Sequence, residues 1–344
     1  MTSPLSGRGA GGEGWPTAEA ITRLPKAEVH VHLEGCFEPS DVEQLAQEAG
    51  ESPRPTDVTG MDLAQFLDLL DWTCSLVRTP EQVAHAAYAF AEREARSGVG
   101  YADLIFNPTH WPAWRHRLDA FVEALDVGFR EAEEDGLPPV GLCVSVLRQQ
   151  TASEAIELVD WLLEFRHPRI VALSIDGNEA AAGRTGPRFS AAFRKAADAN
   201  LHRTVHAGES SGAEGVRDAL ELLFAERIDH GIRAIEDADL VAELAGRQIP
   251  LDVCPGSNVQ LGLYPDRSSH PLESLRRAGV PVSINTDDPA LMRHSLVSEY
   301  AATATTYGWG PTVLRDVART SIGASFCDPD LRARLLTALD AWTP

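Results

Sequence analysis

The sequence predicts an α/β fold, a (β/α)8 barrel of the TIM type with a helical insertion after its first strand. Three observations predict it: eight short β-forming runs recur along the chain, amphipathic helical stretches separate them, and reactive side chains gather where the runs end. Alternation of strand and helix implies a parallel sheet, and eight units imply closure. An open doubly wound sheet is the rival architecture, but no G-x-G-x-x-G follows any of the runs.

The first 16 residues, M-T-S-P-L-S-G-R-G-A-G-G-E-G-W-P, hold too much glycine and too few apolar groups to pack, so residues 1–16 read as a disordered tail. They lack the apolar stretch of a secretory signal. Residues 17–344 then read as one barrel domain. Its runs are A-E-V-H-V-H (27–32), Y-A-D-L-I-F (101–106), V-G-L-C-V-S-V-L (140–147), I-V-A-L-S-I-D (170–176), H-R-T-V-H-A (202–207), R-I-D-H (227–230), I-P-L-D-V-C (249–254) and V-P-V-S-I-N-T-D (280–287). Helical connectors include S-A-A-F-R-K-A-A-D-A-N before the fifth run and D-L-V-A-E-L-A-G-R before the seventh.

One connector, 37–100, is unusually long. Within it, M-D-L-A-Q-F-L-D-L-L-D-W places Leu63, Phe66, Leu67 and Leu70 on one helical face. Such a stripe by default faces a core. Because it leaves the C-terminal end of the first strand, where barrels build their sites, it also reads as a lid whose Leu63 and Phe66 touch substrate.

Composition narrows the function. Among 344 residues the net charge is −21, which argues against a nucleic-acid or anionic-membrane partner, since either demands a basic face. No run of about 18 apolar residues spans a membrane. The five cysteines are scattered and never in C-x-x-C spacing, as expected of a reduced, cytoplasmic protein. The oligomeric state has no signature in the sequence.

His30 and His32 lie two apart in a strand, so both imidazoles share a face. Two polar residues on a solvated edge strand are the plain alternative. Further strand ends point the other way: His206 and Glu209 in H-A-G-E, His230 in D-H-G, and Asp287 and Asp288 in N-T-D-D-P. Each alone is explained by a cap or turn, but four strand ends agreeing on one face are not. Three histidines and a carboxylate form a nitrogen and oxygen set suited to zinc with a water, and Glu209 adds a proton donor or acceptor beside it. These residues outline a metal-assisted hydrolase.

K-A-E-V-H-V-H-L-E-G, H-A-G-E, R-I-D-H-G, C-P-G-S-N and S-I-N-T-D-D-P stand in the order and approximate spacing of the adenosine deaminase family of the amidohydrolase superfamily, which the chain resembles from about Leu24 onward. The resemblance implies one zinc per chain, held by His30, His32, His206 and Asp287. It makes Glu209 the donor that protonates purine N1 as C6 is attacked, and His230 the histidine that orients and deprotonates the attacking water, with Asp287 also in the catalytic set. Asp288 is similar to the residue that bonds N7, and Gly177 to the glycine whose N–H meets N3.

The implied function is zinc-dependent hydrolytic deamination of a 6-aminopurine nucleoside, a small-molecule substrate. Glu34 stands where nucleoside deaminases carry an aspartate directed at the ribose, and H-L-E-G-C-F-E-P resembles the adenine-specific members. T-D-D-P with Thr286 is nearer the nucleoside enzymes, whereas S-I-D-G-N-E and F-N-P-T-H-W fit neither group. A 5′-modified nucleoside such as 6-aminodeoxyfutalosine is therefore a candidate, with free adenine as the alternative. A non-catalytic purine-binding barrel is the remaining one. Other zinc chemistries lack their signatures: H-x-E is not paired with P-C-x-x-C, H-E-x-x-H is absent, and no lysine ends the fourth strand to bridge two metals.

Overall fold

The computed structural model describes residues 16–344; apart from Pro16, the segment expected to be disordered lies outside the described residues. Eight parallel strands follow one another in chain order around the barrel: β1 (Lys26–His32), β2 (Val99–Phe106), β3 (Val140–Leu147), β4 (Ile170–Asp176), β5 (His202–Ala207), β6 (Arg227–His230), β7 (Leu251–Val253) and β8 (Val282–Ile284). Most strand residues are buried on both faces, as a sheet enclosed by helices requires.

The last two strands are shorter than the apolar runs 249–254 and 280–287 suggest. Pro250 and Pro281 have no N–H for a ladder, although their carbonyls accept from Ile228 and Leu251 at 2.9 Å each. At the far end of β8, side chains take over. Asn285 Oδ1 accepts from Val29 N at 2.9 Å, and Glu28 Oε1 accepts from Thr286 N at 2.8 Å. An isolated bridge completes the seam, with His32 N donating to Asp287 O at 2.8 Å. Asp287 and Asp288 therefore lie on the loop after β8, not within it.

The long connector divides in two. Helices Pro39–Ala49 and Leu63–Ser75 form the insertion, whereas Pro80–Arg96 belongs to the outer ring beside Leu118–Glu134. The latter pair meets at Gly128, where an added Cβ would lie 2.0 Å from the Ala84 carbonyl oxygen. A capping box starts helix Leu63–Ser75, the lid helix expected from the sequence: Asp62 accepts from Gln65 N at 2.9 Å, and Gln65 returns the bond at 3.1 Å. Among the described residues no helix is long and apolar enough to cross a membrane, and all five cysteines are buried and free.

Candidate active site

The C-terminal mouth of the barrel collects the expected side chains. His30 and His32 Nε2 each lie 3.4 Å from Asp287 Oδ1. His32 Nε2 lies 3.0 Å from His206 Nε2. His230 Nε2 stands 4.0 Å from Asp287 Oδ2 and 3.5 Å from Glu209 Oε1. Ligand atoms of His30, His206, His230 and Asp287 fall within 4.8 Å of one another, so His230 joins the cluster of the four expected ligands.

These residues fit a zinc ion. Tetrahedral ligands at about 2.0–2.1 Å from zinc stand about 3.3–3.4 Å apart, close to the separations around Asp287 Oδ1. His30 Nε2 is buried without a hydrogen-bond partner, because His30 uses Nδ1 on the Asp252 carbonyl at 2.8 Å. His206 Nδ1 faces Asp229 Oδ2 at 3.2 Å. Both rings thereby turn Nε2 inward, the usual arrangement of a metal-binding histidine with an outer partner. Ser257, from C-P-G-S-N, donates to Asp287 Oδ2 at 2.6 Å, and Asn258 Nδ2 lies 3.3 Å from His230 Nδ1.

Backbone strain marks two of these positions. His230 and Asp287 have φ of 65° and 68°, left-handed values that cost a non-glycine residue about 1–3 kcal/mol. At Asp287 the strain accompanies the seam to β1 described above.

Burial and neighbouring charge divide the protons unequally. Burial, with Asp287 and Glu179 adding to it, pushes the Glu209 carboxyl up to about 8. Burial and Asp287 also hold the Asp288 carboxyl well above its usual range. For Asp287 burial acts against charge, but His30 outweighs it and keeps the carboxyl low. Burial and the neighbouring His30 keep His230 neutral, and burial brings His32 down to about 4. At His30 burial opposes protonation, yet Asp229 and Asp287 raise it to about 10, so a cation is favoured at this position and zinc would displace the proton from Nε2. Carboxyls pushed apart in this way are fitted to separate roles.

A pocket opens above the cluster. His32, Glu34, Leu63, Phe66, Gly177, His206, Glu209, His230, Asp287 and Asp288 all line it, and His30 lies beneath, fully buried. Leu67 and Leu70 join Leu63 and Phe66, so the whole predicted stripe faces the cavity. Gly35 makes room for Asp288, whose Oδ1 would lie 2.1 Å from a Cβ there. Glu34 accepts from Asn107 N and Trp111 Nε1 at 2.8 Å each, leaving Oε2 buried and unpartnered. Burial raises its carboxyl to about 7.

His110, Asp176 and Leu261 also line the pocket and were not singled out from the sequence. His110 pairs through Nδ1 with Asp71 of the lid helix. The unusual F-N-P-T-H-W run was its only visible signal. Glu179, Asp229, Ser257 and Asn258 likewise gain their roles from neighbours distant in sequence.

An eight-stranded parallel barrel with a His/Asp cluster at its C-terminal mouth defines an amidohydrolase-type enzyme. The family model for adenosine deaminase matches residues 25–342, and the chain belongs to that family. It is 36% identical over 320 residues to the adenine deaminase of Sinorhizobium medicae, covering 92% of this chain and 98% of that protein. It is also 36% identical over 334 residues to the aminodeoxyfutalosine deaminase of Streptomyces coelicolor, covering 94% and 85% respectively. A Burkholderia ambifaria amidohydrolase solved with bound Zn superposes with a TM-score of 0.84 at 26% identity, covering 94% of this chain and 92% of that one. The chain is accordingly an aminohydrolase, which removes the non-catalytic reading.

Proposed function

We propose that the protein catalyses zinc-dependent hydrolytic deamination of a 6-aminopurine, adding water at C6 and releasing ammonia to leave the 6-oxopurine. The observation that carries this reading is Glu209: a buried carboxyl with its pKa pushed up to about 8, set 3.5 Å from His230 at the rim of the His/Asp cluster. Attack on C6 breaks the aromatic ring's delocalisation and places charge on N1, so the ring must be protonated as the new bond forms. A neutral Glu209 can deliver that proton. His30, His32, His206 and Asp287 would hold the zinc, which would supply the Lewis acidity that makes hydroxide available near neutral pH. His230, kept neutral, orients the water and takes its proton. Asp288, held protonated, has an O–H to donate to the lone pair of N7, and its Oδ1 is buried without a partner. The Gly177 N–H is assigned to N3.

The nucleoside reading is supported by polar residues beyond these groups. Glu34, Asp176 and His110 line the same pocket but have no part in the ring chemistry, which fits a sugar or modified sugar on N9. Free adenine is the second reading. The unpartnered Glu34 Oε2 favours it, since an N9–H could fill that site, as does the likeness to adenine deaminases. Steady-state rates with adenine, adenosine and 6-aminodeoxyfutalosine, on protein of measured zinc content, test the proposal. We expect about one zinc per chain and a preference of at least tenfold for a nucleoside; a preference for adenine selects the second reading, and turnover of none rejects deamination.

A further inference from the structure

We infer that Glu179 is the positioning residue for Glu209, gripping the backbone of the turn that carries it. The inference rests on the deamination reading for its consequence in turnover, and on geometry alone for the grip. Glu179 opens the short helix Glu179–Ala182 after β4, and its side chain is 3% exposed. Its Oε1 accepts from Gly208 N at 3.0 Å. Its Oε2 accepts from Glu209 N at 2.9 Å, Ser210 N at 3.2 Å and Ser211 N at 3.3 Å. Four consecutive amides therefore converge on one carboxylate.

Successive N–H groups turned to one side form a concavity suited to an anion. Here the chain supplies the anion itself, from a strand end 29 residues away in sequence from Gly208. Gly208 permits the turn with φ of 64°. Burial opposes charge on Glu179, but Arg148 and the amides hold its carboxyl below the usual range. Arg148, itself buried, lies 3.6 Å from Glu179 Oε1, donates to Thr185 Oγ1 at 2.7 Å and also bonds the His206 carbonyl. The turn is thus fixed at both sides: by Arg148 on the carbonyl of the proposed ligand His206, and by Glu179 on the amides that follow.

Such rigidity serves proton transfer. An error of about 1 Å in a reacting group is worth about 10² in rate, so the anchor of the turn that carries Glu209 bears directly on turnover. Glu179 does not line the pocket above the cluster, and its hydrogen bonds go to backbone amides and not to a proposed ligand side chain. Its loss should therefore appear in kcat and not in metal content.

The test uses the zinc-loaded full chain and four variants: Glu179→Gln, Glu179→Asp, Glu209→Gln and the double Glu179→Gln/Glu209→Gln. A glutamine turns an N–H₂ toward amides that need an acceptor, whereas aspartate keeps the charge and shortens the reach. Amide hydrogen exchange should accelerate at residues 208–211 in Glu179→Gln, with the strands unchanged. The kcat should fall about 10²-fold with KM and zinc content near wild type. Glu179→Asp, offered in case the glutamine variant does not fold, should lose less in kcat and show smaller acceleration. If Glu179 acts through Glu209, the double variant is no slower than Glu209→Gln alone. Multiplying losses, unchanged exchange at 208–211, or a loss confined to KM or zinc overturns the assignment. A wild-type protein without turnover defeats the deamination reading instead, and the exchange measurement still decides the grip.

Discussion

Glu209 illustrates how one carboxyl acquires a role that its residue type does not confer. Exposed, it would be ionised at neutral pH; burial with Asp287 and Glu179 nearby brings it to about 8. The protonated form is the proposed donor, so activity dependent on it is present below about pH 8 and is lost as pH rises through that value. A kcat/KM profile should show this alkaline limb, and an unperturbed plateau to pH 10 would remove Glu209 as the acid. Glu209→Gln keeps the shape but cannot deliver a proton, so kcat should fall by about 10²–10⁴ while zinc content stays at the wild-type level. Loss of zinc in that variant would make Glu209 a ligand.

The chain's elements were legible in proportion to how local their causes are. Strand alternation put His30 and His32 on one face, and the helical repeat put Leu63, Phe66, Leu67 and Leu70 over one pocket. The ends of β7 and β8 were misplaced because Pro250 and Pro281 have no N–H for the ladder and because, beyond β8, Val29 N and Thr286 N donate to the side chains of Asn285 and Glu28. The roles of His110, Asp229 and Glu179 were not legible locally, because each is defined by a partner on a different element. The contact between the lid helix and the β2 loop is one such case, since Asp71 pairs with His110 at the pocket wall. Asp71 is more than half exposed at 59%, so the pair is worth only about 0.2–1 kcal/mol. Asp71→Asn should accordingly raise KM by no more than about fivefold, with kcat and zinc content unchanged. A hundredfold change would mean that the contact does more than hold the lid helix.

Across the whole molecule, one buried cation joins the fold to the His/Asp cluster. Arg227 is 1% exposed and donates to Asp103 Oδ2 at 2.6 Å, to the Val29 carbonyl at 2.9 Å and to the Ala324 carbonyl at 3.0 Å. It also pairs with Asp252 Oδ2 at 3.1 Å and lies 4.1 Å from the Phe326 ring centroid. Strands β1, β2, β6 and β7 and the end of helix Pro311–Ala324 therefore meet at one guanidinium. The Asp252 carbonyl in turn accepts from His30, so movement of β7 reaches the cluster directly. Arg227→Met fills the volume but leaves two carboxylates buried without their cation, and removing one partner of such a network costs about 3–5 kcal/mol. We expect urea unfolding of the metal-free protein to shift by that amount. In variants that remain folded, zinc affinity should fall about tenfold, as loss of an outer partner does to a histidine ligand. Arg227→Lys keeps the charge but not the fork, so it should recover part of the stability by satisfying only one or two of these acceptors. If Arg227→Met unfolds at the wild-type urea concentration, the carboxylates must be taking up protons instead, and Arg227 would not be what holds the barrel's strands to its proposed metal ligands.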